Sequence, residues 1–514
     1  DYADVFFRGR LMELPVDAPR ESYRSYLRLL DSTISRYSIG LAWHLAGASE
    51  DELPTRPFTL GPGWEGNQQE DRLPSTRALY AGRAASSVFL IASTVFMFLI
   101  ARQYFERPLV YLVSALYSLN PIVLLNGRRA MQEGSLLCFA LLFTYLAIRI
   151  TRRRASGEAV SWRWWVGLTV AGGLALLSKN SAVLFLAGGL GWIFVAELLR
   201  RFPTLPLRLA GILTGVGLGA GVLYVALSPG LWADPVARLR DVVELRETET
   251  LRMSFFAPDR PTRMSWRLAN MFTQPYLTQA QHFETEGFGL VPEIAAQVAA
   301  NLASPLAGIT FGPVVGFVLT ALMLLGAAVM AIPRLRPPVP SALYIGLPVW
   351  VAPVLASLIV NPLPNQRYYL LLIPAAALLS GFGAYAAARL VADRRQIMPR
   401  ADERPAYALA LVVLASLCLI FGYSAYADRQ PPPALASVRV GDDLPTTFAA
   451  LAARLDADFF FRPRLRLEPV TEVLVLARHE LRISEVTPDH FCLMERTQVA
   501  TCYSYADVIA FQIP

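Results

Sequence analysis

Apolar positions in the middle of the chain form ten runs of about 15 to 25 residues with few charges, long enough to cross a hydrocarbon core about 30 Å thick. Backbone polar groups must be satisfied inside a membrane, so each run is predicted to be a membrane helix. The predicted spans are residues 84–102, 109–126, 130–150, 164–178, 181–199, 207–228, 313–332, 341–360, 368–392 and 407–427.

Longer polar segments divide these spans into groups. The predicted order is a first loop with amphipathic surface helices (1–83), six spans (84–228), a large loop (229–312), four spans (313–427) and a polar tail (428–514). Short apolar stretches in the tail, at 473–476 and 508–511, are typical of buried strands. The predicted fold is therefore an all-α polytopic membrane protein with a small α/β or β-containing C-terminal domain.

The arginines predict the orientation in the membrane. Alternate short loops hold most of them, and cytoplasmic loops are the ones enriched in Lys and Arg. The loops 1–83, 229–312 and 428–514 are then all extracytoplasmic. The chain starts without Met, so we expect a further helix upstream. The arginine-rich loops contain Arg102 and Arg107; Arg152, Arg153, Arg154 and Arg163; Arg200, Arg201 and Arg208; Arg334 and Arg336; and Arg394, Arg395, Arg400 and Arg404.

Composition agrees with a membrane protein. Of 514 residues, 54% are hydrophobic and only 17% are charged, whereas a soluble protein carries about 25% charged residues. The net charge of +7 is spread over short loops and forms no single basic patch, which argues against a nucleic-acid partner. We expect a multi-pass protein of the inner or plasma membrane.

The short loops on the outer side also contain charged residues, although most of the short-loop arginines lie in the cytoplasmic loops. Arg128, Arg129 and Glu133 lie in one such loop, Lys179 in a second, and Arg367 with Tyr368 in a third. Charges at membrane depth are costly without a partner, a cavity or the interface. One interpretation is a joint phosphate site made of Arg forks and a Lys point charge. The other is that the cations extend toward lipid headgroups and the tyrosine belongs to an aromatic belt.

The first outer segment supplies carboxylates. Asp1, Asp4 and Asp31 precede an amphipathic helix that contains Tyr37. A carboxylate held there can act as general base on an acceptor hydroxyl. The alternative for each Asp is a solvated loop residue or a helix cap.

No cofactor follows from the sequence. The four histidines show no ligand spacing, so a divalent metal is left open without any residue that indicates one. Cys492 and Cys502 lie in the polar tail and can form a disulfide if that tail is extracytoplasmic.

These motifs together resemble the C-type glycosyltransferase superfamily, in particular the protein O-mannosyltransferase and aminoarabinose transferase branch. The resemblance rests on the order and common side of the motifs over residues 1–427. They are an acidic first loop, Asp31, a Tyr-x-x-Gly helix at 37–40, an Arg-x-x-x-x-Glu turn from Arg128 to Glu133, Lys179, and an Arg-Tyr-Tyr entry at 367–369.

The resemblance implies a sugar donor linked to polyprenyl phosphate and an inverting transfer at the outer face. Asp1 would be the catalytic base and Asp31 a second acidic residue. Arg128, Arg129, Lys179 and Arg367 would bind the donor phosphate. Asp4, Tyr37, Glu133 and Tyr368 would contact substrate. The expected partners are membrane lipid, the donor, and a protein or glycolipid acceptor.

Two other functions remain open on the sequence alone. A transporter or flippase for an anionic lipid or solute would also combine many spans with cationic loops. Such proteins favour ionisable groups at the bilayer midplane, of which the spans hold few. A non-catalytic member of the same fold is the third interpretation, since the family usually has an acidic pair where this chain has Asp1 and Tyr2.

Overall fold

A computed structural model gives the fold of most of the chain. It describes residues 28–30, 33–49, 52, 63–69, 71–256, 264–282, 292–304, 307–309, 312–330, 332, 335–361, 365–392, 458–463, 471–476, 481–486, 490–495 and 501–504. Asp1, Asp4, Asp31, the predicted span 407–427 and the predicted strand 508–511 lie outside these residues.

The described part is mostly helical. In chain order, its helices are α1 (Thr33–Leu45), α2 (Gly63–Gln69), α3 (Thr76–Ala101), α4 (Arg107–Ser118), α5 (Pro121–Arg128), α6 (Glu133–Ala155), α7 (Trp162–Ser178), α8 (Val183–Arg201), α9 (Leu207–Ala226), α10 (Pro235–Phe256), α11 (Met264–Thr273), α12 (Pro292–Leu302), α13 (Gly312–Val329), α14 (Ser341–Val360) and α15 (Ile373–Ala392). Short 3₁₀ turns at Asn180–Ala182, Pro229–Leu231 and Gln366–Leu372 precede α8, α10 and α15.

Nine of the ten predicted apolar runs coincide with described helices. Six helical segments in the described residues are long and apolar enough to cross a membrane: 76–101, 133–155, 180–201, 207–226, 341–360 and 366–390. Helix α7 has 17 residues, and the apolar helix Val314–Val329 is shorter than a full span as well. The chain is therefore an integral multi-pass membrane protein.

The predicted span 109–126 is not one straight helix. It is divided into α4 and α5, which meet at 55° and count as a seventh span if taken together. Pro121 disfavours helical backbone at Asn120, whose ψ is 125°. The Asn120 side chain then caps α5 by accepting from the backbone N–H of Ile122 at 3.0 Å, and it donates to Pro275 O at 2.9 Å. The buried asparagine thus fixes the bend.

Helices α6 and α8 lie near the centre of the bundle. Helix α6 packs against α3, α7 and α8, and α8 packs against α14. The close approach of α8 and α14 depends on Gly346, because a Cβ there would overlap the indole of Trp192. The indole nitrogen of Trp192 donates to Ala342 O at 3.0 Å, which links the same two helices.

The bundle has two distinct ends. The first, called the Glu133 end, contains the start of α6, residues 179–182 and residues 365–368. The second, called the arginine-rich end, contains the ends of α3, α6 and α8 and the start of α14. There Arg152 donates to Gln103 Oε1 at 3.2 Å, and Tyr104 donates to Leu343 O at 3.3 Å.

The described residues of the C-terminal tail form five short strands. They are β1 (Asp458–Pro463), β2 (Thr471–Leu476), β3 (Leu481–Val486), β4 (His490–Glu495) and β5 (Thr501–Ser504). Strands β1 and β2 form an antiparallel pair, and β3, β4 and β5 form an antiparallel sheet in that order. In the second sheet Cys492 lies directly opposite Cys502.

Candidate functional site

A buried ion pair marks the Glu133 end. The ammonium of Lys179 donates to Glu133 Oε1 at 2.9 Å, with only 11% and 1% of the two side chains exposed. Lys179 stands in extended backbone between α7 and the turn before α8, whereas Glu133 is the first residue of α6. A carboxylate in the first turn also interacts favourably with the positive end of its helix.

A glycine lets α6 begin at this depth. A Cβ on Gly134 would lie 2.6 Å from Gly127 O and 2.7 Å from Ser86 O, closer than side chains approach backbone. The missing side chain therefore allows the start of α6 to touch both α3 and α5, and Glu133 is placed among helices instead of at their edge.

A third element brings an arginine to the pair. Residues 366–372 place Tyr368 beside Lys179, with the ammonium 5.6 Å from the ring centroid, and the Arg367 guanidinium lies 5.5 Å from the same centroid. Arg367 also interacts electrostatically with Glu133. Two cations therefore lie close to the Tyr368 ring, and both interact with one buried carboxylate.

Buried polar atoms beside the ion pair lack a hydrogen bond. Such atoms in the described part of the chain include Gln132 Oε1, Glu133 Oε2 and Asn180 Nδ2. Asn180 does accept through its Oδ1 from the hydroxyl of Tyr224 at 3.3 Å. Leaving a buried polar atom unpaired costs about 1–3 kcal/mol, so this group of atoms is suited to a polar ligand.

A network of glutamines holds the segment after α11 against residue 366. Gln366 N donates to Gln281 Oε1 at 2.9 Å, and Gln281 N donates to Gln366 Oε1 at 2.7 Å. Gln366 Nε2 donates further to Gln274 Oε1 at 3.0 Å and to Gln279 O at 2.9 Å. These bonds fix the backbone next to Arg367.

Arg129 and Arg128 have different surroundings. The Arg129 guanidinium donates to the carbonyl of His282 and to Asn126 Oδ1 at 3.4 Å, so it joins the same glutamine-held segment. Arg128 donates through Nε to Leu124 O at 2.8 Å, in its own helix, and interacts repulsively with Arg83 of α3. The two neighbouring arginines therefore contact different parts of the Glu133 end.

The surface helix α1 covers the same end of the bundle. Ser35 Oγ lies 2.9 Å from Ser135 Oγ, two residues after Glu133, and Thr33 Oγ1 lies 3.2 Å from Ser228 Oγ. Tyr37 is on this helix; burial raises the pKa of its hydroxyl, and the neighbouring Arg36 partly opposes the rise. The helix that holds Tyr37 therefore packs beside the start of α6.

The structure brings Glu133, Lys179, Arg367 and Tyr368 together and links Arg129 to them through residues 281–282 and Gln366. The sequence interpretation did not include Gln132, Asn180 and Gln281 in the site. The first two adjoin Glu133 and Lys179 in the chain, which was an available signal; nothing in the sequence pairs residue 281 with residue 366. Among the described residues no three His, Cys, Asp or Glu side chains are placed to hold a metal ion.

Comparison with solved structures gives distant matches. An archaeal oligosaccharyltransferase, AglB from Archaeoglobus fulgidus, solved with an inhibitory peptide and a dolichol-phosphate, is 11% identical with a TM-score of 0.35. That match covers 85% of this chain and 57% of the archaeal one, so the chain spans little more than half of its length. ArnT from Cupriavidus metallidurans, bound to undecaprenyl phosphate, is 14% identical with a TM-score of 0.27, over 76% and 77% of the two chains. Comparison with curated proteins gives no match.

A family model gives the most direct evidence of relationship. The model described as dolichyl-phosphate-mannose-protein mannosyltransferase matches residues 77–224, less than a third of the chain. The matched segment contains Arg128, Arg129, Glu133 and Lys179, whereas Arg367 and Tyr368 lie beyond it. The predicted resemblance to the C-type glycosyltransferases is thereby confirmed, with its sequence evidence in the segment that matches the protein mannosyltransferase family.

Proposed function

We propose that the chain is a membrane glycosyltransferase that moves a sugar from a polyprenyl-phosphate donor to an acceptor hydroxyl, with inversion, on the extracytoplasmic face. One observation carries this proposal: the Lys179 ammonium and the Arg367 guanidinium lie 5.6 Å and 5.5 Å from the ring centroid of Tyr368, and Lys179 is paired with the buried Glu133. Two of these residues belong to the segment that matches the mannosyltransferase family.

The charges of this group suit the donor. Lys179, Arg367 and Glu133 together carry a net positive charge. Arg129 adds a further positive charge at this end of the bundle, where its guanidinium donates to His282 O. A sugar-linked polyprenyl phosphate is a phosphodiester with one negative charge. When the sugar leaves, the lipid phosphate gains a second negative charge, which fixed cations stabilise more strongly than the starting donor.

In the proposed reaction an acceptor hydroxyl attacks the anomeric carbon as the bond from that carbon to the phosphate oxygen breaks. The hydroxyl proton passes to a carboxylate, for which Asp1 is the proposed base and Asp31 the second acidic residue. Glu133 would act as a positioning residue, because it holds the Lys179 ammonium by a direct hydrogen bond. Tyr37 and Asp4 are proposed to contact substrate.

The direct test uses purified full-length protein and a panel of short-chain polyprenyl phosphates that carry different sugars. Binding of a donor and release of polyprenyl phosphate on addition of acceptor are measured. Arg367→Gln should weaken donor binding about tenfold, as expected for the loss of one charge-assisted contact. Arg163→Gln, an exposed arginine at the other end of the bundle, is the matched control and should leave binding unchanged.

Two outcomes separate the roles. Asp1→Asn should abolish transfer and leave donor binding intact; unchanged turnover would remove Asp1 as base and direct attention to Asp31. A protein that binds donors in the panel without ever releasing polyprenyl phosphate would support transport or a non-catalytic role. Absence of donor binding would end the proposal.

A further inference from the structure

A cavity of about 360 Å³ lies at the arginine-rich end, about 30 Å from Glu133 along α6. Its walls come from the last turn of α6, the last turns of α8 and the first turn of α14. They include Thr151, Arg154, Glu197, Arg200, Ser341 and Ile345. The cavity is thus separate from the site described above and does not depend on the proposed function.

The polar wall of the cavity carries an excess of positive charge. Glu197, 3% exposed, pairs with Arg154 at 3.0 Å and with Arg200 at 2.7 Å, and Arg201 contacts the same carboxylate. Three guanidinium groups around one carboxylate leave two uncompensated positive charges. Each guanidinium has five N–H donors, so the bonds to Glu197 leave donors of Arg154 and Arg200 for a second anion.

A buried hydroxyl at the same place lacks a partner. Thr151 is 3% exposed and lines the cavity, and its Oγ1 makes no hydrogen bond to any described residue. Helical threonines commonly bond the carbonyl one turn earlier, as Thr144 does with Ala140 O at 2.8 Å. Thr151 therefore keeps a donor for an occupant of the cavity.

The start of α14 supplies a further positive pole. Ser341 and Ala342, in its first turn, line the cavity, and the residue before them, Pro340, makes no side-chain cap. The first N–H groups of a helix attract anions, above all phosphates. The guanidinium groups of Arg154 and Arg200, the Thr151 hydroxyl and the start of α14 thus all border the same cavity.

We propose that this cavity binds the phosphate of an anionic phospholipid headgroup. The lipid source follows from its position. One helix of about 30 Å, the thickness of the hydrocarbon core, separates it from Glu133, which places it at headgroup level in the opposite leaflet. Leu199, which is 54% exposed, lies at its rim and offers an apolar surface to an acyl chain. Basic pockets between membrane helices bind such headgroups.

The test compares phosphatidylglycerol with phosphatidylcholine of the same acyl chains, titrated onto purified, delipidated full-length protein and followed by native mass spectrometry. Phosphatidylglycerol should bind about tenfold more tightly, in line with one or two charge-assisted hydrogen bonds. Arg200→Gln should remove most of this preference, and the near-isosteric Thr151→Val should weaken the binding of phosphatidylglycerol several-fold, as expected for the loss of one hydrogen bond. Arg163→Gln, at the same end but outside the cavity wall, should keep it.

Only variants that are monodisperse and keep the wild-type melting temperature are compared. Thr151→Val is the less disruptive of the two cavity variants, since it leaves the ion pairs of Glu197 in place. Equal binding of the two lipids by wild-type protein would overturn the proposal. So would an equal loss of preference in Arg163→Gln. Inorganic phosphate, titrated alone, is the second arm: saturable binding without any lipid preference would overturn the lipid assignment.

Discussion

The ammonium of Lys179 lies 2.9 Å from Oε1 of Glu133, across 46 positions of the chain, and both side chains are almost completely buried. A buried charge is tolerated only when its partner is present, so the two residues depend on each other. Their pairing joins the start of α6 to the segment that precedes α8.

The first prediction concerns this pair. Lys179→Gln should lower the free energy of unfolding by about 3–5 kcal/mol, because the buried Glu133 loses its hydrogen-bonded cation. Glu133→Gln should cost less, since Lys179 is the more exposed partner. The double variant should be more stable than Lys179→Gln alone. Thermal unfolding in detergent provides the measurement, and additive losses would show that the residues are not coupled.

The second prediction concerns the glycine that positions Glu133. Gly134→Ala should destabilise the protein by about 1–3 kcal/mol through overpacking, because its Cβ meets two backbone carbonyl oxygens. Gly211→Ala is the control, since nothing lies within 4 Å of its added Cβ. That variant should keep or raise the melting temperature. Equal behaviour of the two variants would contradict the tight contact at the start of α6.

The predictable part of the fold is the part set by hydropathy. Runs of apolar residues gave α3, α6 to α9 and α13 to α15, because lipid leaves the backbone few alternatives to a helix. The common side of Glu133, Lys179 and Arg367 also follows from the alternation of spans. The bend between α4 and α5 was missed, although Asn120 and Pro121 are a known signal for a helix boundary.

Side-chain partners could not be predicted in the same way. Arg128 and Arg129 are neighbours in sequence, yet one bonds within its own helix and the other bonds to residue 282. Such contacts depend on how helices and loops pack, and a single sequence contains no periodic pattern that reports them. Cysteine pairing is an intermediate case, since the sequence names the candidates and the strand register brings them together.

The third prediction tests the glutamine network. Gln281→Ala removes the acceptor for the backbone N–H of Gln366. The loss of one such hydrogen bond, about 1 kcal/mol, corresponds to about fivefold faster hydrogen exchange at Gln366. Exchange within 365–368 is measured by mass spectrometry. Gln103→Ala, at the arginine-rich end, should leave that exchange unchanged, and a rise in both variants would indicate general loosening.

The fourth prediction concerns the tail. Opposite residues of antiparallel strands have Cα atoms about 4.5–5.5 Å apart, within the range that a disulfide spans. Cys492 and Cys502 occupy such positions. If the tail is extracytoplasmic, peptide mapping of unreduced protein should find these cysteines linked. Recovery of both as free thiols under oxidising conditions would contradict the extracytoplasmic tail or the strand register.

Helices α6 and α8 run in the same direction, and ion pairs near both ends join α6 to α8 or to the segment just before it, with the signs of the charges reversed between the two ends. At one end α6 supplies the carboxylate, Glu133, and at the other it supplies the guanidinium of Arg154 facing Glu197. If α8 entered the bilayer upside down beside α6, acid would face acid and base would face base. Only a parallel arrangement of the two helices therefore satisfies both ion pairs at once.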